Sequence, residues 1–305
     1  MSELFETREI AASGAGERLD KYLAAQFSDL SRAQIQALIR AGHVTVNGAA
    51  AKASLRLEGG ERVRLLVPVE EEPAEPGPEA IPLTVLYEDE QVAVVDKPAG
   101  MVVHPAFGHQ TGTLVNAVLN RWPQIAAFAE PGRAGIVHRL DKETSGVIVI
   151  AKTARALESL RAQFRARTIS KRYLALVEGL PQTPEGVIDA PIGRDTRQRK
   201  RMAVLRDGRE ALTEFRVMEI FASYSLLEVW PKTGRTHQIR AHLAFIGHPV
   251  VGDTVYGRRK QPFTLKRHFL HAAAITLAHP VSGEPLTVES PLPVALQNLL
   301  DKLPR

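Results

Sequence analysis

Apolar residues near the N-terminus recur at the spacing of two short amphipathic helices followed by strands. The first helix places Leu19, Tyr22 and Leu23 on one face, and the second, SRAQIQALIRAG, begins at Ser31, a favourable N-cap residue. Alternating apolar residues in HVTVNG and RVRLLVP predict strands, with a tight turn at the Asn-Gly pair. Residues 17–69 are therefore predicted to form a small separate domain.

The hydrophobic periodicity disappears on both sides of this small domain. Residues 1–16 have mixed charge and no apolar run, which predicts an N-terminal tail. Residues 70–82, EEEPAEPGPEAIP, are acidic and rich in proline, which favours a semi-extended linker over a surface loop inside one domain. The main domain is accordingly expected to cover residues 83–305.

Strand-like runs dominate the main domain. Apolar and β-branched residues predict two strands within LTVLYEDEQVAVVDKP and others at residues 146–152, 173–179 and 224–231. Helical spacing recurs at residues 113–120, 154–167 and 236–247. Because the strands outnumber the helices and do not alternate with them regularly, the pattern predicts an α+β domain with a mixed sheet rather than a doubly wound one.

Composition narrows the class of protein. The 305 residues carry a formal net charge of +5, which favours an anionic partner such as nucleic acid. The chain has no cysteine, which excludes disulfides, thiol nucleophiles and cysteine metal sites. We find no secretory signal and no run of the roughly 20 apolar residues that a spanning helix needs, so a soluble, cytoplasmic protein without membrane contact is expected.

The histidines do not follow a metal-binding pattern. The spacings of His104, His138, His237, His242 and His248 match neither H-E-x-x-H nor a zinc-finger arrangement. The glycines stand too far apart for a phosphate-binding loop, and a serine nucleophile elbow is missing. We therefore expect no metal site.

One polar loop stands directly before a predicted buried strand. In GIVHRLDKETSGVIVIAK, residues 135–152, charged and hydroxyl residues that include His138, Arg139 and Asp141 follow an apolar entry. Polar groups held beside core strands have the rigid support that active groups need, but a salt-bridged turn has the same composition. Composition alone therefore does not single out Asp141.

A second informative stretch is KTGRTHQIRAHLAFIGHPVVGDTVYG, residues 232–257. It predicts a helix capped by Thr236 that buries Ile239 and Leu243. Arg240 lies at the edge of the buried stripe, where its guanidinium is either exposed or partly buried beside a carboxylate. In the second case it would hold that carboxylate ionised and oriented.

Basic residues form three clusters, which indicate either solvated faces or a surface for phosphate groups. Aromatic residues make up only 6% of the chain, which argues against a stacking platform for single strands and favours recognition of folded RNA. The clusters are Arg161, Arg165, Arg167, Lys171 and Arg172; Arg194, Arg197, Arg199, Lys200 and Arg201; and Arg258, Arg259, Lys260, Lys266 and Arg267.

Three motifs occur in a characteristic order. The run from His138 to Gly146, HRLDKETSG, fits the signature H-R-L-D-x-x-T-S/T-G, and KRYLALVEG and KTGRTHQIRAHLAFIGHPVVGDTVYG follow it. Together they resemble the RluA family of pseudouridine synthases over about residues 83–295. Residues 17–67, with ERLDKYL and SRAQIQALI, resemble the RNA-binding domain named after ribosomal protein S-four. This two-part layout is most similar to the RluD branch, which acts on large-subunit ribosomal RNA.

The resemblance implies a set of site residues. Asp141 matches the catalytic aspartate of the family, Arg240 the arginine that pairs with it, and Tyr173 the tyrosine that packs against the target base. Arg139 matches the residue that fills the space left by the flipped nucleotide. Leu277 is a weaker match to the apolar residue lining the pocket.

Further RNA contacts are expected from both domains. His138, in the same motif as Asp141, is assigned to substrate binding. Basic residues of the S-four-like domain are expected to meet phosphates and position the RNA without reading its sequence. These residues are Arg18, Lys21, Arg32 and Arg40.

The resemblance also implies the fold and the activity. The expected fold is a mixed, mainly antiparallel sheet with flanking helices, and the expected reaction is isomerisation of uridine to pseudouridine in ribosomal RNA, free or in a pre-ribosomal particle. No cofactor is expected, because the reaction neither oxidises the substrate nor transfers a group to another molecule. Three alternatives stay open: the same reaction on transfer RNA, a non-catalytic RNA-binding or assembly protein, and an unrelated aspartate-dependent hydrolase.

Overall fold

The computed structural model divides the chain into two compact units, Met1–Ala74 and Glu75–Arg305. None of the helices that it describes is long and apolar enough to cross a membrane. The residues that the structure describes are 5–13, 15–68, 76–106, 109–196, 198, 201–257, 263 and 265–305.

The first unit packs two helices against a small antiparallel sheet. Its helices are α1 (Leu19–Gln26) and α2 (Arg32–Arg40), and its strands are β1 (Phe5–Ala11), β2 (Val44–Val46), β3 (Ala49–Ala50) and β4 (Arg62–Pro68). The strand order among the described residues is β1-β4-β2-β3. Ser31 caps α2 as predicted, since its hydroxyl accepts from the backbone N–H of Gln34 at 3.3 Å. Leu19, Leu23 and Ile35 are buried in the core between the layers.

The prediction of a tail over residues 1–16 was wrong for its central part. Phe5–Ala11 forms strand β1, which pairs antiparallel with β4 from Phe5 opposite Pro68 to Ala11 opposite Arg62. Because β1 lies at the edge of the sheet, only part of one face meets the core, and polar residues can fill its remaining positions. Ile10 packs against the core while Glu6, Thr7 and Glu9 are exposed. The sequence predicts a tail because few residues of this segment are apolar, but the segment forms an edge strand.

The second unit contains a large mixed sheet with flanking helices, which confirms the predicted α+β class. Its helices are α3 (Leu114–Arg121), α4 (Ala154–Ala166), α5 (Gln238–Phe245) and α6 (Val294–Leu300), with a 3-10 turn at Pro123–Ala127. Its strands are β5 (Thr84–Glu88), β6 (Val92–Lys97), β7 (Ser145–Ala151), β8 (Ser170–Glu178), β9 (Glu185–Asp189), β10 (Ile192–Arg194), β11 (Met202–Val204), β12 (Leu212–Phe221), β13 (Tyr224–Pro231), β14 (Leu270–Ala278) and β15 (Pro285–Glu289).

Strand pairing in this sheet is mainly antiparallel, as expected. Within the described part of the chain the order is β5-β6-β7-β14-β8-β13-β12-β9, with β15 beside β14, and β10 and β11 form a separate hairpin. Only the β7–β14 pair of the described ladders is parallel. All seven residues of β7 are buried, because this strand lies inside the sheet with α4 packed against it. The burial explains its continuous run of β-branched residues.

The second unit begins before residue 83, where the predicted linker was expected to end. The side-chain amide of Asn116 donates to the carbonyl of Gly77 at 2.7 Å, and the backbone N–H of Glu79 donates to the carbonyl of Asn116 at 3.0 Å. The Glu79 carboxylate in turn accepts from the backbone N–H of Gly112 at 3.1 Å. Residues 77–79 are thus bound to the start of α3, whereas residues 70–75 of the predicted linker lie outside the described residues.

Gly146 allows the close approach of β7 and β14. Its φ is +116°, and a Cβ atom at this position would lie 2.2 Å from the carbonyl oxygen of Ala272. Any larger residue would have to separate the two strands and adopt a backbone conformation that side chains disfavour. The final glycine of the HRLDKETSG motif is therefore a structural requirement of the sheet.

We expect Gly146→Ala to destabilise the protein by about 2–4 kcal/mol, from the clash and the positive φ together. Gly283→Ala is the matched control, because Gly283 also has a positive φ (+75°) but its Cβ would meet nothing within 4 Å. Thermal unfolding followed by circular dichroism should show a much larger loss for Gly146→Ala. Equal losses of stability in the two variants would mean that the close approach to Ala272 does not contribute to the destabilisation.

Candidate active site

The polar loop before β7 is anchored by a buried lysine. Lys97 has no exposed surface, and its ammonium donates to the carbonyls of Pro98, Met101 and Lys142 at 2.8, 2.9 and 3.2 Å. Burial lowers the pKa of Lys97 to about 7. The loop also closes on itself, since the backbone N–H of Thr144 donates to the carbonyl of Asp141 at 3.0 Å. These bonds fix the backbone that carries the Asp141 side chain.

Asp141 and Arg240 form an ion pair across the second unit, as predicted. The Arg240 Nη1 lies 2.9 Å from the Asp141 Oδ2. The other side of the guanidinium faces Asp253, with Nε 2.6 Å from Oδ2 and Nη2 3.0 Å from Oδ1. Oδ1 of Asp141 accepts no hydrogen bond from any residue that the structure describes, so one oxygen of this carboxylate is unpaired within the described chain.

Charge balance keeps this buried guanidinium protonated. Burial favours a lower pKa for Arg240, but Asp253 first and Asp141 second raise its pKa above the ordinary value. Burial likewise opposes the charge of Asp253, yet the contact with Arg240 lowers the pKa of Asp253. The Tyr256 ring lies against the guanidinium, 5.1 Å from ring centroid to Cζ, and adds a favourable cation–π contact.

Helix α5, which carries Arg240, starts differently from the prediction. His237, not Thr236, is the N-cap residue, and its φ of +55° places it in the left-handed region. The first turn is held from inside the helix, where the Gln238 side-chain oxygen accepts from the Thr233 hydroxyl at 2.7 Å and from the Arg235 backbone N–H at 2.9 Å. α5 therefore has no side-chain cap, and a buried glutamine in its first turn holds the segment that precedes it.

Tyr173 lies on β8 beside this ion pair and is almost completely buried. Its hydroxyl forms no hydrogen bond with the described residues, and its ring lines the cavity above Asp141. Burial and, to a smaller extent, the charge of Asp141 raise the pKa of Tyr173 above its ordinary value. The phenol is therefore protonated at neutral pH, and its hydroxyl has a proton to donate.

A cavity of about 410 Å³ opens over Asp141, Tyr173 and Arg240. This volume is typical of a site for a small molecule or a single nucleobase. Cationic side chains dominate its polar lining, so the cavity favours an anionic ligand. These cations are Arg133, Arg139, Arg167, Lys171, Lys232, Arg235 and Arg240.

His138 and Arg139 line the cavity in different ways. Nε2 of His138 accepts from the backbone N–H of Val149 at 3.0 Å, and its ring stacks on Phe164 at 5.0 Å. Burial first and the nearby Lys171 second lower the pKa of His138 to about 3, so the ring is neutral. Arg139 is exposed, and its guanidinium makes no ion pair within the described chain. His138 thus supports the wall of the cavity, while Arg139 is free to meet a ligand.

The expectation that Leu277 lines the pocket was wrong. Leu277 is buried near the far end of β14, opposite Leu286, and the leucine of β14 that faces the cavity is Leu270. Leu277 lies seven residues beyond Leu270 on β14, where the strand pairs with β15, and at about 3.3 Å per residue this length of strand separates it from the cavity. Leu270 was not singled out from the sequence.

The four basic residues predicted in the first unit differ in their surroundings. Asp20 is fully buried and accepts from Arg18 at 3.0 Å and from Arg32 at 2.8 Å. The Gln36 side chain donates to the same carboxylate at 2.6 Å. Lys21 and Arg40 are exposed on α1 and α2. Asp20 therefore orders two of the predicted arginines, and the other two cations face solvent.

Several predicted basic residues lie outside the described residues: Arg197, Arg199, Lys200, Arg258, Arg259 and Lys260. Others are paired, as Arg167 is with Glu210 at 2.8 Å and Arg161 with Glu130 at 2.7 Å. Sequence reasoning did not single out Asp253, and it considered His237 only as a metal ligand, although Nε2 of His237 lies 4.0 Å from Oδ2 of Asp141. Both belong to the quoted motif of residues 232–257, but only their pairing in space reveals their roles.

We expect the stability of the protein to fall as the pH decreases from about 6.5 towards 3. Folded His138, with its pKa lowered to about 3, stays neutral over this range, whereas the unfolded chain takes up a proton there. One such histidine contributes a slope of up to about 1.4 kcal/mol per pH unit. His138→Gln, whose amide oxygen can still accept from Val149, should flatten the dependence in urea unfolding at pH 7, 6 and 5. His109→Gln, which removes an exposed histidine, should not, and identical slopes for both variants would contradict this origin.

Family models recognise both units of the chain. A model described as RNA pseudouridylate synthase matches residues 91–245, and a model described as S4 domain matches residues 17–63. The first contains Asp141, Tyr173 and Arg240, and the second contains both helices of the N-terminal unit. These matches confirm the family that the sequence motifs indicated.

Relatives cover nearly the whole chain. An RNA pseudouridine synthase of Bacillus subtilis, YlyB, is 45% identical over 94% of this chain and 94% of that protein. Ribosomal large subunit pseudouridine synthase D of Nitrosomonas europaea is 46% identical over 95% of this chain and 85% of that protein. The solved structure of human RNA pseudouridylate synthase domain containing 1 matches with a TM-score of 0.57 at 27% identity, covering 73% of this chain and 95% of that one. By its matched domain, its relatives and its fold, this chain belongs to the RNA pseudouridylate synthase family and is an isomerase that acts on RNA.

Proposed function

We propose that this enzyme converts specific uridines of large-subunit ribosomal RNA to pseudouridine, with Asp141 as the catalytic carboxylate. The observation that carries the proposal is the arrangement of Asp141, which has one oxygen held by Arg240 and the other open to a cationic cavity beside Tyr173. A rigidly held carboxylate with one free oxygen has the geometry that acid–base or nucleophilic chemistry requires.

The reaction assigns clear tasks to the site. The bond between the ribose anomeric carbon and uracil N1 breaks, the base turns, a bond to C5 forms, and the proton of C5 moves away while N1 gains one. Since these atoms are hidden in a helix, the nucleotide must flip out, at a cost of a few kcal/mol. Whether Asp141 first attacks the sugar, attacks the base or removes a ribose proton, each route needs its unpaired Oδ1.

Tyr173 and the cavity wall would hold the flipped base. The Tyr173 ring offers an apolar face for stacking, and its hydroxyl, without a partner among the described residues, can donate to a uracil oxygen. The raised pKa of Tyr173 favours its hydroxyl as a hydrogen-bond donor over its use as a base for the C5 proton. Leu270, the apolar residue of β14 at the cavity, would take the role that was expected of Leu277.

Cations around the cavity would bind the phosphates that flank the target. Arg139 is exposed and unpaired within the described chain, so it can reach the RNA or fill the space that the flipped nucleotide leaves. Lys171 donates to the carbonyl of Thr233 at 3.2 Å and faces no carboxylate in the described contacts. Burial lowers the pKa of Lys171 to about 8, which still leaves most of the side chain charged at pH 7. His138 is neutral and supports the backbone behind these residues.

The choice of ribosomal RNA rests on the relatives and on the N-terminal unit. Relatives named ribosomal large subunit pseudouridine synthase D are 39% to 46% identical to this chain over at least 95% of its length. The S4 domain adds a second surface for phosphates through Lys21 and Arg40 and through the arginines that Asp20 orders, Arg18 and Arg32. Such contacts increase affinity for folded RNA without specifying sequence. The same reaction on transfer RNA is the alternative, and in either case the enzyme would work in the cytoplasm.

The first experiment maps pseudouridine in large-subunit ribosomal RNA and in transfer RNA after incubation with the purified enzyme. New sites in ribosomal RNA are the expected result, either in free RNA or in a pre-ribosomal particle. New sites only in transfer RNA would overturn the substrate assignment and keep the chemistry. Pseudouridine in none of these RNAs would overturn the proposed function.

Asp141→Asn should bind RNA nearly as the native enzyme does and form no pseudouridine. The amide keeps the shape of the side chain and an oxygen for Arg240, but it loses the charge and the basicity that every route needs. Single-turnover formation of product and the Kd for RNA are measured together. Asp301→Asn, which changes an exposed aspartate after α6, is the matched control and should retain full activity. Product formation at the native rate by Asp141→Asn would refute its catalytic role.

Deletion of residues 1–74 should weaken RNA binding by roughly 10-fold or more and slow the chemistry at saturating RNA much less. The removed unit supplies phosphate contacts, while the whole cavity belongs to the second unit. Binding isotherms at several salt concentrations and single-turnover rates separate the two effects. An unchanged Kd with a reduced rate would indicate that the N-terminal unit acts on the chemistry instead.

A further inference from the structure

Three donors of Arg240 are divided unequally between two carboxylates. Asp253 receives two of them, Nε at 2.6 Å and Nη2 at 3.0 Å, in the parallel geometry of a bidentate pair. Asp141 receives only Nη1, at 2.9 Å. If Asp253 were absent, the guanidinium could turn its fork to Asp141 and bind both oxygens. The way in which Asp253 and Asp141 share the Arg240 donors therefore determines how many oxygens of Asp141 remain free.

Asp253 is itself held on a rigid backbone. Its Oδ1 accepts from the backbone N–H groups of Val255 at 2.9 Å and Tyr256 at 3.1 Å, so both carboxylate oxygens have fixed partners. The preceding residue, Gly252, has φ of +80°, and a Cβ there would lie 2.2 Å from the carbonyl oxygen of Arg267. Neither the side chain nor the backbone of Asp253 has room to follow a movement of Arg240.

The same turn is joined to the central sheet. The backbone N–H of Val251 donates to the carbonyl of Leu176 in β8 at 2.8 Å, and that of Phe269 donates to the carbonyl of Val251 at 2.8 Å. Tyr173 lies on β8, three residues from Leu176. These hydrogen bonds fix the turn that carries Asp253 relative to β8, the strand that carries Tyr173.

We propose that Asp253 is a positioning residue for the isomerisation: by occupying the Nε–Nη2 fork of Arg240, it restricts this arginine to one contact with Asp141 and keeps Asp141 Oδ1 free for the substrate. This inference rests on the proposed role of Asp141. It is supported by the electrostatics, because Asp253 raises the pKa of Arg240 more than Asp141 does. Asp253 is not among the described residues that line the cavity, and its side chain bonds directly to one that does, Arg240, so we assign its effect on the reaction to that contact.

The test is a double-mutant cycle of Asp253→Asn and Arg240→Met, measured by single-turnover pseudouridine formation at saturating RNA. Asp253→Asn puts an amide N–H against the Arg240 donors and should slow the reaction on the order of 10-fold to 100-fold. The Kd for RNA should stay within about 3-fold, because no phosphate contact changes. In the Arg240→Met background, Asp253→Asn should cause no further slowing, since the arginine through which it acts is absent.

Ser225→Ala is the matched structural control. It removes a buried hydrogen bond, from Ser225 Oγ to the carbonyl of Gly179 at 3.0 Å, on the part of β13 away from the cavity. It should lower the melting temperature without changing the single-turnover rate. If Asp253→Asn lowered only the melting temperature, as the control does, Asp253 would be a structural residue and the proposal would be wrong. The proposal would also be wrong if the double variant were slower than Arg240→Met by the same factor by which Asp253→Asn slows the native enzyme.

A second readout does not depend on turnover. The Nε–H of Arg240 is hydrogen-bonded to Asp253 and buried, so its NMR signal should exchange slowly with water. This protection should survive Asp141→Asn and vanish in Asp253→Asn. If the Arg240 Nε–H exchanged quickly with water in Asp141→Asn but slowly in Asp253→Asn, the assignment of this donor to Asp253 would be wrong. Because this result is independent of the RNA tested, a wrong substrate assignment can be distinguished from a wrong role for Asp253.

Discussion

The second unit is organised around one buried guanidinium shared by two carboxylates. A single cation out of water costs several kcal/mol, and Arg240 offsets this cost with contacts to Asp141 and Asp253 and with the face of Tyr256. Removing one partner of such a pair typically costs 3–5 kcal/mol, because the remaining charge is left buried. The loop before β7, helix α5 and the turn at Asp253 must therefore meet with ångström precision. The geometry of the candidate active site follows from a requirement of stability.

The need to keep Arg240 in contact with both carboxylates explains the local backbone conformations around the site. His237 is held in the left-handed region at the start of α5, and Gly146 and Gly252 occur where a Cβ would strike a neighbouring carbonyl oxygen. Lys97 fixes the opposite side by binding the carbonyl of Lys142, next to Asp141. Each of these features removes freedom from a residue that holds or neighbours a charged group. A site arranged in advance needs little reorganisation when the flipped base enters.

The sequence predicted those parts of the fold that local patterns encode. The buried strand β7 and the cap at Ser31 followed from β-branched residues and capping chemistry, whereas strand β1 is mostly polar and was mistaken for a tail. The start of α5 was misplaced because the helix begins without a side-chain cap, after His237 in the left-handed region. Motif resemblance indicated Asp141, Arg240 and Tyr173, and the structure brings them together. Leu270 and Asp253 were not singled out, because the residue pattern of β14 does not show which end of the strand lies at the cavity and because Asp253 pairs with a residue 13 positions away.

The two units divide the physical tasks of an RNA-modifying enzyme. In the proposed function, phosphate contacts would supply affinity that weakens with salt, and exposed side chains such as Lys21 and Arg40 suit that task. Chemistry needs the opposite conditions, namely a buried ion pair that salt screens poorly and side chains that cannot move. Asp20 shows that even the binding unit uses a buried carboxylate to order Arg18 and Arg32. In both units an acidic residue without access to the ligand sets the positions of the cations that face it, so the acidic residues deserve as much weight as the basic ones when RNA sites are sought in a basic protein.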